Sequence, residues 1–148
     1  MTALLPAALL LGCLVAGAAA APNATDAATV GVLGGKCTDD DMKAINDAGG
    51  GHSDGSWPQI VGKCGMDSYS WWYGFDNDGM NKCIRRRARV SSQCASCYVQ
   101  IGAYAAANCK WACYWGEWCS DKCLRCNEQV RDSVNSCVGQ ASPEPTRC

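Results

Sequence analysis

CASCYVQIGAYAAANC (residues 94–109) and CLRCNEQVRDSVNSC (residues 123–137) decide how this chain folds. Each opens on a C-x-x-C and closes on a further cysteine. Cys94, Cys97, Ile101, Ala105 and Cys109 step by three, four, four and four residues. Cys123, Cys126, Val130, Val134 and Cys137 step by three, four, four and three. Such steps put side chains on one stripe of an α-helix. Ser91 or Ser92 stands where it would cap the first helix; Ser120 would cap the second, with Asp121 in its first turn. The segments also align as an internal repeat, C-x-x-C-x-x-Q-[IV], spanning 94–109 and 123–137.

The expectation is a mostly α, small disulfide-rich domain built on an antiparallel helical hairpin, about residues 92–109 and 121–137, with a shorter N-terminal half of helix and loop. In an antiparallel pair, facing residues keep a nearly constant sum of positions. Cys97 with Cys137 and Cys109 with Cys126 satisfy this, and so do Cys94 with Cys137 and Cys109 with Cys123. The first set is preferred, but connectivity is not fixed by sequence.

Composition explains why a staple is needed. Residues 1–21 carry no charge, have an apolar centre and end in small residues, as a signal peptide does. In the remainder, Leu, Ile, Val and Phe make up about 12%, against the roughly 20% that normally sustains a core. Thirteen cysteines less Cys13 leave twelve, an even number that suits six bridges: Cys37, Cys64, Cys83, Cys94, Cys97, Cys109, Cys113, Cys119, Cys123, Cys126, Cys137 and Cys148. A secreted protein is therefore expected, with no membrane span after signal cleavage. A net charge of −1 argues against nucleic acid as partner. No cofactor or metal is expected.

Residues 22–36 read as a flexible leader, with a glycosylation sequon at Asn23. Residues 37–148 form a single domain. Thr38 and Asp41 make a capping box ahead of Met42, Ile45 and Ala48. Residues 49–63 read as a Gly-rich loop holding His52, the only histidine. One histidine excludes a two-histidine metal site, and no G-x-S-x-G accompanies it to suggest a triad.

Trp71, Trp72, Tyr73 and Phe75 crowd the next stretch. Where aliphatics are scarce, these rings are expected to fill the core; the functional alternative is an exposed platform for a sugar or protein. Asp76-Asn77-Asp78-Gly79 partly matches a calcium loop. With Gly79 as its central glycine, Gly74 and Arg85 fall at the two anchoring ligands, so the match fails. A turn and then a helix, capped by Asp78, is expected over residues 79–90. Arg85, Arg86, Arg87 and Arg89 give that helix a basic face, either simply solvated or a patch for an acidic partner or anionic glycan. Arg86-Arg87-Ala88-Arg89 also has the spacing of a secretory cleavage site. Three cysteines precede Val90 and nine follow it, so at least one bridge must cross that point.

These surfaces point to a non-enzymatic extracellular binding module for a protein or carbohydrate. The competing class is a thiol–disulfide redox protein using a C-x-x-C pair at a helix start. Paired C-x-x-C motifs also approach a zinc spacing, which an oxidising compartment disfavours.

Overall fold

A computed structural model describes residues 34–113 and 115–148. The expected signal segment, nearly all of the leader and Asn23 lie outside them. Among the described residues the order is α1 (Asp39–Ala48), α2 (Trp57–Asp67), β1 (Tyr69–Ser70), β2 (Gly74–Phe75), α3 (Asn77–Ala88), α4 (Ser92–Asn108), α5 (Lys110–Cys113) and α6 (Asp121–Val138). The two short strands pair antiparallel, Tyr69 with Phe75 and Ser70 with Gly74.

The hairpin of long helices is α4 and α6. Ser91 and Ser120 cap them, accepting from the backbone N–H of Cys94 and Cys123. Cys97–Cys137 and Cys109–Cys126 bridge them in antiparallel register. A glutamine from each helix bonds the facing helix. Gln100 on α4 accepts from the Ser133 hydroxyl of α6, and Gln129 on α6 accepts from the Tyr104 hydroxyl of α4. In each C-x-x-C the second cysteine crosses to the partner helix. The first reaches outward, Cys94 to Cys37 and Cys123 to Cys113. Positions i and i+3 lie about 60° apart around a helix, so one thiol can face the partner and the other a neighbour.

Helix α4 also packs on α2 and α3. Ile45 of α1, Trp57 and Cys64 of α2, Met80 and Ile84 of α3, and Cys94, Cys97 and Tyr98 of α4 are among its fully buried members. Trp57 meets Tyr98 edge to face at 4.5 Å. The cysteines thus serve as core volume as well as covalent links.

Three expectations need correction. Residues 49–63 are not all loop: α2 starts at Trp57, with Pro58 in its first turn. Trp57, Ile60, Val61 and Cys64, all buried, lay an apolar stripe at helical spacing. The cap of α3 is Asp76, not Asp78; its carboxylate accepts from the Gly79 N–H at 2.9 Å, while Asp78 lies in the first turn. The aromatic stretch does not fill the core as a unit. A three-residue turn, 71–73, joins β1 to β2, and Gly74 takes the left-handed conformation that closes such a turn (φ 78°). The Ser70 hydroxyl accepts from the N–H of Trp72 and Tyr73. The turn therefore projects outward, and only Phe75 folds back onto the core.

Phe75 and Met80 press on α4 where it carries no side chain. A Cβ at Gly102 would lie 2.4 Å from Phe75 Cζ and 2.5 Å from Met80 Sδ. Gly102→Ala is expected to destabilise the domain by about 1–3 kcal/mol through this overpacking, despite alanine's better helix propensity. A denaturant midpoint at or above wild type would contradict the close approach.

Asp41 joins the starts of two helices. Its carboxylate accepts from the N–H and hydroxyl of Thr38, both at 3.0 Å, and from the N–H and hydroxyl of Ser91, at 2.6 and 2.8 Å. Ser91 in turn caps α4. Burial pushes the Asp41 carboxyl up, but the hydrogen bonds from Ser91 and Thr38 outweigh it and hold the group below its ordinary value. Beside it, Cys37–Cys94 is the bridge that parity required across Arg89. Cys64–Cys83 ties α2 to α3. The segment after α6 is strapped down by Cys119–Cys148, by Arg131–Glu144 (2.7 Å) and by Tyr98 sharing a hydroxyl hydrogen bond with Ser142 (2.7 Å).

Candidate functional site

The outward turn and the α4–α6 link meet on one face. Trp71 is 50% exposed, Trp72 85% and Tyr73 94%; Trp111 and Trp115 from the link are 69% and 72% exposed. Trp71 stands edge to face with Trp111 at 6.2 Å, and Trp111 stacks near-parallel on Trp115 at 6.5 Å. The Lys110 ammonium lies over the rings of Trp71 (4.7 Å) and Tyr69 (5.2 Å) and clamps the two segments together. Covalent bonds hold each side: Cys64–Cys83 spans the turn, and Cys109–Cys126 and Cys113–Cys123 flank α5. Trp118 instead turns inward and lies against α2. A Cβ at Gly62 would meet its indole at 2.5 Å.

Rings this large usually seek burial, and contiguous exposed apolar groups mark binding surfaces. The platform continues into a shallow polar depression of about 420 Å³. Tyr73 and Tyr69 border it together with Asp67, Asp76, Arg86 and Arg87. Arg87 pairs with Asp67 at 3.3 Å. Of the basic residues singled out from sequence, Arg86 and Arg87 therefore join the aromatic face. Arg85 and Arg89 are exposed, but neither lines the depression. Phe75 contributes packing beneath the platform. Trp111 and Trp115 stand in the link between the two cysteine-bearing segments; their meeting with Trp71 is not legible in sequence, because only the fold brings residues forty apart together.

The Arg86–Arg89 sequence is not presented as an extended strand. Arg86, Arg87 and Ala88 form the end of α3, Arg89 takes a left-handed conformation (φ 57°), and Val90 is buried.

The geometry gives every described cysteine a bridging partner. Neither C-x-x-C closes on itself: its two members belong to different bridges, and all twelve described cysteines are paired. A dithiol catalyst cycles its two thiols with each other, and zinc needs free thiolates. Glu117, Cys119 and Cys148 place ligand atoms within 4.8 Å of one another, but both sulfurs share a bridge. His52 is exposed and bonds the Thr146 hydroxyl at 2.8 Å, tethering its loop to the C-terminal strap.

Six disulfides in a small helical domain fit a secreted or extracellular cysteine-rich protein. Among the described residues no helix is long and apolar enough to cross a membrane. No protein-family model matches the chain, and no curated protein or solved structure matches it significantly.

Proposed function

We propose that this is a non-enzymatic extracellular binding protein whose ligand is a carbohydrate. The observation that carries the reading is the exposed cluster of Trp71, Trp111 and Trp115 on a covalently braced turn and link, beside a polar depression that Tyr73 borders, with Trp72 exposed in the same turn. Sugars offer apolar C–H faces and a rim of hydroxyls. The rings supply flat apolar surface for the first, while Asp67, Asp76, Arg86 and Arg87 supply acceptors and donors for the second. The depression carries both signs of charge, which suits hydroxyl recognition better than a purely anionic partner. Bracing by disulfides reduces the ordering cost of binding.

A glycan array probed with the secreted wild type and with Trp72→Ala and Trp111→Ala tests this. Saturable glycan binding is expected, weakened about tenfold or more by either substitution. Absence of glycan binding, or binding indifferent to both changes, would remove the carbohydrate reading and leave a protein partner for the same face.

A further inference from the structure

Away from the exposed rings, helices α2, α4 and α6 enclose a second concavity of quite different character. It is a half-open cavity of about 250 Å³, lined almost wholly by apolar groups. Three helical stripes face it, represented by Val61 and Gly65 of α2, Ile101 and Ala105 of α4, and Leu124 and Val134 of α6. Its width follows in part from sequence: Ala105 and Ala106 line it where larger apolar residues would close the space. In a chain so poor in aliphatic side chains, a sizeable unfilled apolar volume calls for an occupant. Apolar cavities of about 150 Å³ already take up small hydrocarbons from water.

The polar groups around the cavity narrow the class of occupant. Arg131 is already paired with Glu144 at 2.7 Å, and Tyr98 with Ser142 at 2.7 Å. The strap residues 142–145 cover one side, and the strap is fixed by Cys119–Cys148. Lys110 also lines the cavity, and among the described residues it forms no ion pair; its ammonium rests on the Tyr69 and Trp71 rings. A cation held against aromatic faces beside an apolar cavity is complementary to an amphiphile with a hydrocarbon body and one negative end.

We infer that this cavity is a binding site for a single-chain carboxylate amphiphile, its chain between α2, α4 and α6 and its carboxylate on Lys110. The inference does not rest on the carbohydrate reading, because the cavity lies between helices and shares only Lys110, Tyr69 and Phe75 with the platform and its depression.

Isothermal titration of decanoate and of decanol into the disulfide-intact protein tests it. One saturable site for decanoate is expected. Ala105→Phe, which fills the cavity, should weaken both probes by about tenfold or more. Lys110→Met should weaken decanoate about fivefold or more while moving decanol less than about twofold. Trp72→Ala should leave decanoate unchanged. If Ala105→Phe does not fold, as judged by its unfolding transition, Ala106→Leu is the filling variant, with the same direction expected. No saturable decanoate binding overturns the inference. So does binding unaffected by the filling variant, or weakened equally by Trp72→Ala, since either places the chain on the platform. Equal losses for decanoate and decanol in Lys110→Met overturn the carboxylate assignment.

Discussion

Replacing Cys37 and Cys94 together by alanine is expected to lower stability by about 4 kcal/mol and Tm by about 10–20 °C. This bridge spans 57 residues, the longest separation of the six. It is the only one connecting α1 to the rest covalently, and the only one crossing Arg89. Without it the unfolded chain regains the freedom of that whole loop. Cys94 is also fully buried, so its sulfur leaves a void between α1 and α4. The comparison that isolates the loop effect is Cys113→Ala with Cys123→Ala. That bridge spans 10 residues and should cost about 3 kcal/mol by the same loop argument. Thermal unfolding of both double variants beside wild type checks the order. A smaller loss at Cys37–Cys94 than at Cys113–Cys123 would show that α1 contributes little to the folded core.

Asp41→Ala should destabilise the domain by about 3 kcal/mol. Four donors converge on this carboxylate, and removing it strands the N–H groups of Thr38 and Ser91 in a part-buried site. The loss reaches α4 through Ser91, whose hydroxyl caps that helix on Cys94. The pH dependence has a definite sign. The Asp41 carboxyl is held below its ordinary value of 3.8, so its contribution is complete above that value and is lost as pH falls through the lower, folded-state value. Denaturant midpoints of the wild type should therefore drop as the pH falls below about 4 more steeply than those of Asp41→Asn. Parallel curves would mean that the carboxylate is not ionised in the folded cap. Because Asp41 and Cys37–Cys94 fasten the same two helices, their losses should fall short of additive in a double-variant cycle.

What could be read before the structure depended on how local the signal is. The α4–α6 hairpin, its serine caps and the preferred Cys97–Cys137 and Cys109–Cys126 pairs follow from periodicity within two segments and one antiparallel constraint. The α1 capping box is equally local. Helix α2 is hard to read from sequence because its start lacks a side-chain cap bond and follows a run rich in glycine, yet Trp57, Ile60, Val61 and Cys64 carry the periodic signal. The outward set of the turn at residues 71–73 is a different matter. Composition favoured burying those rings, and only the Ser70–Gly74 register and the clamp of Lys110 over Trp71 put them on the surface beside Trp111. Fixing Cys113 to Cys123 and Cys119 to Cys148 likewise needed the path of the link, which no spacing rule supplies.

The reciprocal pairing of the two C-x-x-C motifs also determines how the domain answers a pull. Force applied between Cys37 and Cys148 can pass through Cys37–Cys94, the short chain to Cys97, the Cys97–Cys137 bridge and the last residues to Cys148. That covalent path contains only 14 peptide links and two disulfides, so the domain can lengthen to about 60 Å end to end, where the unbridged chain would reach nearly 400 Å. The turn bearing Trp71–Tyr73 and the link bearing Trp111 and Trp115 lie off this path. A ligand held on those rings would stay on an unstretched surface even while the chain around them bears tension.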